Sequence, residues 1–179
     1  DHVLKVPNAT PETTDAAQYM CYKGRKQYNL CGEFCVAYCT KDEAHTATID
    51  DFLDYWEAKD LKWYQTLFSN WLSHPTSIYD IERMVGDYGI KGLLPFSAVK
   101  MSPSSIATQL QAFRAIIGVQ IDHTGYLVGQ GVPHWVVLDG INVIDDSHAI
   151  CDIYNPFTNA MEAYSWRELM NSTGAYKQG

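Results

Sequence analysis

Hydrophobic positions along this chain change their spacing near residue 114. Before it they recur at threes and fours, the signature of helices with one apolar face; after it they fall in short β-rich runs. Glu33 to Thr40 has no breaker and puts Phe34, Ala37 and Tyr38 at helical spacings, so a helix is predicted to start just after Cys31-Gly32. Residues 48–60 open with Thr48, Asp50 and Asp51, a cap and an acidic first turn, and Leu61, Tyr64, Leu67, Phe68 and Trp71 repeat at helical spacing. Ser77 to Tyr88 aligns Ile78, Ile81, Met84, Val85 and Tyr88 and stops at Gly89, a C-cap residue. Ser102-Pro103-Ser104-Ser105 starts a further helix through Ile106, Leu110 and Phe113.

Strands are predicted at Ala115 to Ile121, His134 to Leu138, Ala149 to Tyr154 and Met161 to Tyr164, with Gly, Pro, Asn and Asp between them. A short helix, Ser165 to Asn171, follows. Residues 1–28, with Pro7, Pro11 and a Thr-rich stretch, read as an extended lead-in. The order is therefore lead-in, a mainly helical part over 29–113 and a mainly β part over 114–179, which makes an α+β fold.

Composition narrows the classes of function. The 179 residues suit one domain at roughly 150 residues per domain. With 46% hydrophobic and 19% charged residues, the chain carries enough apolar matter to fold. Lys and Arg number 13 against 21 Asp and Glu, a formal charge of −8, and that sign repels phosphate backbones, so nucleic acid is not an expected partner. No run reaches the roughly 18 consecutive apolar residues of a membrane span. The first residue is Asp1 and no basic-then-apolar leader follows it. The expectation is a soluble processed or excised product, secreted or cut from a longer chain, whose compartment the sequence does not fix.

Five cysteines, Cys21, Cys31, Cys35, Cys39 and Cys151, cannot all pair within one chain. Cys31 opens the first predicted helix, where the positive end of the macrodipole lowers a thiol pKa from about 8.5 and favours the thiolate. Cys35 and Cys39 lie one and two turns deeper, where burial acts the other way. The simpler reading is that all three are small hydrophobes on an inward stripe. A metal site is disfavoured, because spacings of four and eight spread the thiols too far along a helix for one tetrahedral ion.

His134 begins a predicted strand after the Gly-rich loop 122–133, a place from which a general base can reach a cleft on a rigid support. A base of this kind needs a group that fixes its ring. Asn155, at the end of the strand Cys151-Asp152-Ile153-Tyr154, would lie beside His134 if the two strands are antiparallel neighbours, and Asp152 is the carboxylate alternative. Each signal has an ordinary structural explanation, since a half-buried His is common and Asn-Pro starts turns.

Taken together, a Cys at a helix start, a His at a strand start and an Asn at the next strand's end resemble the papain-like cysteine peptidases. Cys31-Gly32-x-x-Cys35, His134-Trp135-Val136-Val137 and Ile153-Tyr154-Asn155-Pro156 look like the three motifs of the bacteriocin-processing, double-glycine peptidases. The resemblance implies a papain-like fold, Cys31 as nucleophile, His134 as base, Asn155 as orienting group, a protein or peptide substrate and no cofactor. It also implies an oxyanion hole made by the nucleophile's backbone N–H and a side-chain amide upstream. The family pattern has Gln six positions before the Cys, where this chain has Arg25; Gln27 is the candidate, with Asn29 the alternative. The bacteriocin-processing group has Asp where this chain has Asn155. The same triad would serve a deamidase or an acyltransferase, and a catalytically idle binding domain could keep the same fold.

Overall fold

The computed structural model describes residues 20–22 and 25–27 (backbone only), 31–40, 51, 78–91, 93 and 102–173. Among these are four helices, a two-stranded hairpin and a four-stranded antiparallel sheet, an α+β architecture. The elements fall into two compact units.

In the first unit along the chain, β1 (Met20–Tyr22) pairs with β2 (Arg25–Gln27), Tyr22 opposite Arg25. The end of the expected lead-in is thus a hairpin, with two residues separating the paired ends. Helix α1 (Cys31–Cys39) begins at Cys31 itself, and every one of its residues is buried, which explains why its apolar positions form no single stripe. It packs against α2 (Ile78–Asp87), whose Ile81 and Met84 are buried while its opposite face is exposed. Helix α2 ends as its sequence predicts. Gly89 takes φ +64°, its N–H donates to Gly86 O at 3.2 Å, and Ile90 N–H donates to Val85 O at 3.0 Å, the paired bonds of a Schellman cap. The helices expected over 48–60 and 61–72 lie outside the described residues apart from Asp51, which is helical.

The second unit holds α3 (Pro103–Gln109), β3 (Ala115–Ile121), β4 (Val132–Val143), β5 (Ala149–Asn155), β6 (Ala160–Ser165) and α4 (Trp166–Thr173). Ser102 caps α3 by accepting from Ser105 N at 3.3 Å, with Pro103 at the first helical turn. This helix stops at Gln109, short of the expected Phe113: residues 110–112 are a turn in which Ala112 N–H donates to Gln109 O at 3.1 Å.

The sheet order is β3-β4-β5-β6, so each strand pairs with its neighbour in sequence. Strand β4 is longer than predicted at both ends. Its first residues pair Val132 with Ile121 and Pro133 with Gln120. Beyond Leu138 it continues through a bulge, where pairing jumps from Leu138–Ile153 to Gly140–Asp152 and Asp139 is the extra residue. Asp139 Oδ1 accepts from Arg114 Nε at 2.6 Å, so the bulge residue is held by an ion pair at the mouth of β3. Ile116, Val136, Val137, Leu138, Ile153 and Tyr154 form the buried centre of the sheet. Among the described residues no helix is long and apolar enough to cross a membrane.

One glycine in this unit is fixed by crowding. A Cβ on Gly131 would stand 2.2 Å from the Ile121 carbonyl oxygen, a backbone atom that cannot move without opening the β3–β4 pairing. Gly131→Ala is expected to lower the unfolding free energy by about 1–3 kcal/mol, the range for steric overpacking. A urea midpoint equal to that of the parent protein would contradict this.

Candidate active site

Register brings the sequence-predicted base and its partner together. Val137 pairs with Tyr154, so Asn155 at the end of β5 falls on the same face of the sheet as Val136 and His134. His134 is the third residue of β4, not the first as expected, because Val132 and Pro133 already pair with β3. Both polar side chains are buried, His134 at 4% exposure and Asn155 at 0%. His134 Nε2 and Asn155 Oδ1 are 2.8 Å apart.

The other end of the Asn155 amide decides which way it points. Its Nδ2 donates to Gly125 O at 2.9 Å and to Glu162 Oε1 at 2.9 Å. Both partners are acceptors, so a reversed amide would aim an oxygen at two oxygens. Oδ1 therefore faces His134, and an acceptor there requires Nε2 to carry the ring proton. In the neutral imidazole this leaves Nδ1 as the basic nitrogen. Glu162 Oε1 also accepts from Tyr164 Oη at 3.1 Å.

Gly125 reaches Asn155 because its loop is closed by local bonds. Asp122 Oδ1 accepts from Thr124 N at 2.9 Å, Thr124 Oγ1 at 2.6 Å and Tyr126 N at 3.1 Å, an Asx turn that lets Gly125 adopt φ +87°. The same bonds, Thr124's first, lower the Asp122 pKa. Beyond the turn, Tyr126 donates its hydroxyl hydrogen to Glu168 Oε2, and its ring meets that of Tyr164 with centroids 5.2 Å apart. Glu168 in turn closes a capping box on α4: its Oε1 accepts from Ser165 N at 3.0 Å, and its own N–H donates to Ser165 Oγ at 3.1 Å. Loop, helix cap and sheet edge are thus linked by hydrogen bonds.

Burial pushes the His134 pKa down from 6.5 to about 4, against the opposing pull of the Asn155 bond. The imidazole is neutral at neutral pH. It can accept a proton at Nδ1 while Asn155 steadies the Nε2–H.

The candidate nucleophile belongs to the other unit. Cys31 is the first residue of α1 and is buried, with Glu33 buried in the same first turn. Cys35 is fully enclosed, and its thiol is pushed far above the ordinary range by burial first and then by repulsion from the ionised forms of Cys31, Cys39 and Glu33. Cys151, on β5, is raised to about 12 by burial and by Asp152. No disulfide joins Cys31, Cys35, Cys39 and Cys151. Gln27 lies on β2, where the backbone alone is described, and Asn29 and the side chain of Cys21 lie outside the described residues. Asp152, the carboxylate alternative to Asn155, pairs with Gly140 and is exposed, six residues along β4 from His134, or about 20 Å at the usual rise. Asn155, not Asp152, therefore meets the imidazole.

Comparisons with protein-family models, with curated proteins and with solved structures find no match to this chain. Among the described residues no group of three or more His, Cys, Asp or Glu side chains could hold a metal ion.

Sequence reasoning missed the supports of Asn155. Glu162 sits in the alternating run Met161-Glu162-Ala163-Tyr164, where a Glu reads as a solvated position; only the pairing of Ile153 with Glu162 sets it diagonally beside Asn155. The Ser165-x-x-Glu168 spacing was a legible capping box.

The depressed His134 pKa makes stability depend on pH. The unfolded imidazole titrates near 6.5 and the folded one near 4, so between these values the unfolded chain binds the extra proton. This contribution is fully present above pH 6.5 and is lost as pH falls to about 4, a loss on the order of 3 kcal/mol. Urea midpoints measured across this window should fall more steeply for the parent protein than for His134→Gln. Parallel pH profiles would show that His134 is not the group responsible.

Proposed function

We propose that this chain is a cysteine peptidase of papain-like fold, acting on protein or peptide substrates through Cys31, His134 and Asn155. The observation that supports the reading best is the buried His134–Asn155 pair, whose amide orientation assigns the ring proton to Nε2 and leaves Nδ1 as the base. A general base needs a group that fixes its ring and tautomer, and the Asn155 amide does both.

In this reaction Cys31 Sγ attacks the carbonyl carbon of the scissile amide as its proton passes to His134 Nδ1. The carbonyl π pair moves to oxygen, and the backbone N–H of Cys31 and the amide of Gln27 receive that charge. Collapse of the tetrahedral intermediate breaks the C–N bond, and the His134 proton leaves with the amine. Water, deprotonated by His134, then attacks the thioester, releasing the acid and restoring the thiol. A resting imidazole with a pKa of about 4 makes His134 a general base towards a thiol, in place of a preformed thiolate–imidazolium pair. Turnover should accordingly persist to lower pH than the ordinary histidine range allows.

The decisive test pairs thiol reactivity with product analysis. Iodoacetamide near pH 6, below the ordinary thiol range, should alkylate Cys31 faster than Cys35 and Cys39, because His134 Nδ1 takes the thiol proton as Sγ attacks, and His134→Ala should remove that advantage. On a peptide library scored by mass spectrometry, the parent protein should cut the chain, and Cys31→Ala should lower the rate on the order of 10⁴-fold. Equal alkylation of the three thiols together with undiminished cleavage by Cys31→Ala would overturn the assignment. The small mass gain of deamidation, or cross-linked products without cleavage, would move the same residues to a different outcome.

A further inference from the structure

Among the described residues the Asn155 amide meets His134, Gly125 O and Glu162, and the last of these is a carboxylate. Glu162 Oε1 takes the Nδ2–H of Asn155 and the hydroxyl hydrogen of Tyr164 on the same oxygen. Tyr164 is buried, and burial together with the Glu162 charge raises its pKa, so its hydroxyl keeps its proton and remains a donor. The second acceptor, Gly125 O, is carried by the loop that Tyr126 ties to Glu168. All these groups lie in one compact unit with His134.

We propose that Glu162 is a positioning residue that sets the ring tautomer of His134 through Asn155, and that its carboxylate is what requires an amide at position 155. A carboxylate there would turn one oxygen to His134 and the other to a carbonyl oxygen and the Glu162 carboxylate, a part-buried like-charge contact with no hydrogen between. Only an amide accepts from the imidazole at one end and donates to both acceptors at the other. The Glu162 charge also polarises the Nδ2–H bond and so strengthens Oδ1 as an acceptor, the cooperative effect of linked hydrogen bonds in a low-dielectric site. The negative charge that an Asp would place directly on the imidazole is here held one residue further away. The effect on turnover rests on the peptidase reading; the effect on the tautomer does not.

The test is a long-range ¹H–¹⁵N NMR spectrum of His134 at neutral pH. The parent protein should show one tautomer, with the proton on Nε2. Glu162→Gln, which keeps an acceptor oxygen, should preserve it, and Glu162→Leu should bring in a population protonated at Nδ1. A single Nε2–H tautomer in folded Glu162→Leu would overturn the proposal. Should Glu162→Leu fail to fold, Asn155→Asp serves: it should lower the urea midpoint, and adding Glu162→Gln should recover part of the loss. Absence of any recovery would equally overturn it. In turnover, Glu162→Leu should lower kcat on the order of 100-fold, as expected when a reacting group is misplaced, with KM little changed, and Glu162→Gln should retain most of it. Absence of turnover in the parent protein would remove the peptidase reading and leave the tautomer result standing.

Discussion

The second compact unit is organised around one amide that has no freedom left. Asn155 sits at the end of β5 with its oxygen on His134 and its nitrogen on Gly125 and Glu162. Each partner comes from a different segment: β4, the loop after β3, and β6. Buried hydrogen-bonding groups are costly when left unmatched, so any arrangement of these segments that misplaces one partner loses more than a single bond. The local devices around them serve this convergence. The Asx turn shapes the loop, Tyr126 ties it to the cap of α4, and the β4–β5 register sets His134 and Asn155 on one face.

Electrostatics then assigns roles within this geometry. Burial disfavours the imidazolium, so His134 rests neutral, and Asn155 determines which of its nitrogens carries the proton. The thiols are ranked in the same way. Cys35 and Cys151 are pushed upward by enclosure and by neighbouring negative charge, which keeps them protonated and chemically quiet. The chain thus carries buried thiols that stay protonated and a buried histidine that stays neutral. Both follow from the loss of water around a charge, acting on groups of opposite charge type.

Strands β3, β5 and β6 were legible to within about a residue, because β-branched and aromatic runs there are bounded by Gly, Pro, Asn and Asp. Strand β4 was read too short for a reason that lies in the sheet. Pro133 looks like loop punctuation, yet β5 reaches only to Asn155 at that end and its last pairing with β4 is Tyr154 opposite Val137, so among the described residues Pro133 pairs with β3 alone and the missing N–H breaks no bond on the β5 side. Asp139-Gly140 looks like a turn, but a bulge absorbs it. His134 and Asn155 could be paired from the chain because adjacent antiparallel strands bring such ends together. Glu162 could not, since a diagonal neighbour is defined by register, which no local pattern encodes. Hairpin β1–β2 was hidden by its polar residues, and the three cysteines of α1 carry the same spacing whether they pack or react.

The bulge at Asp139 divides the β4–β5 ladder into two lengths that need not keep step. On one side lie Val137, Tyr154 and the His134–Asn155 pair; on the other, the ladder runs out to the exposed residues Ile144 to His148, where Asp145 accepts from Ser147 N and His148 N, both at 2.9 Å. Since one residue is already out of register at the junction and anchored by Arg114, a change of length in the outer hairpin meets a joint before it meets the site. The outer hairpin is therefore the stretch where insertions can accumulate over evolutionary time, or a tag be grafted, with the geometry of the buried pair left as it is.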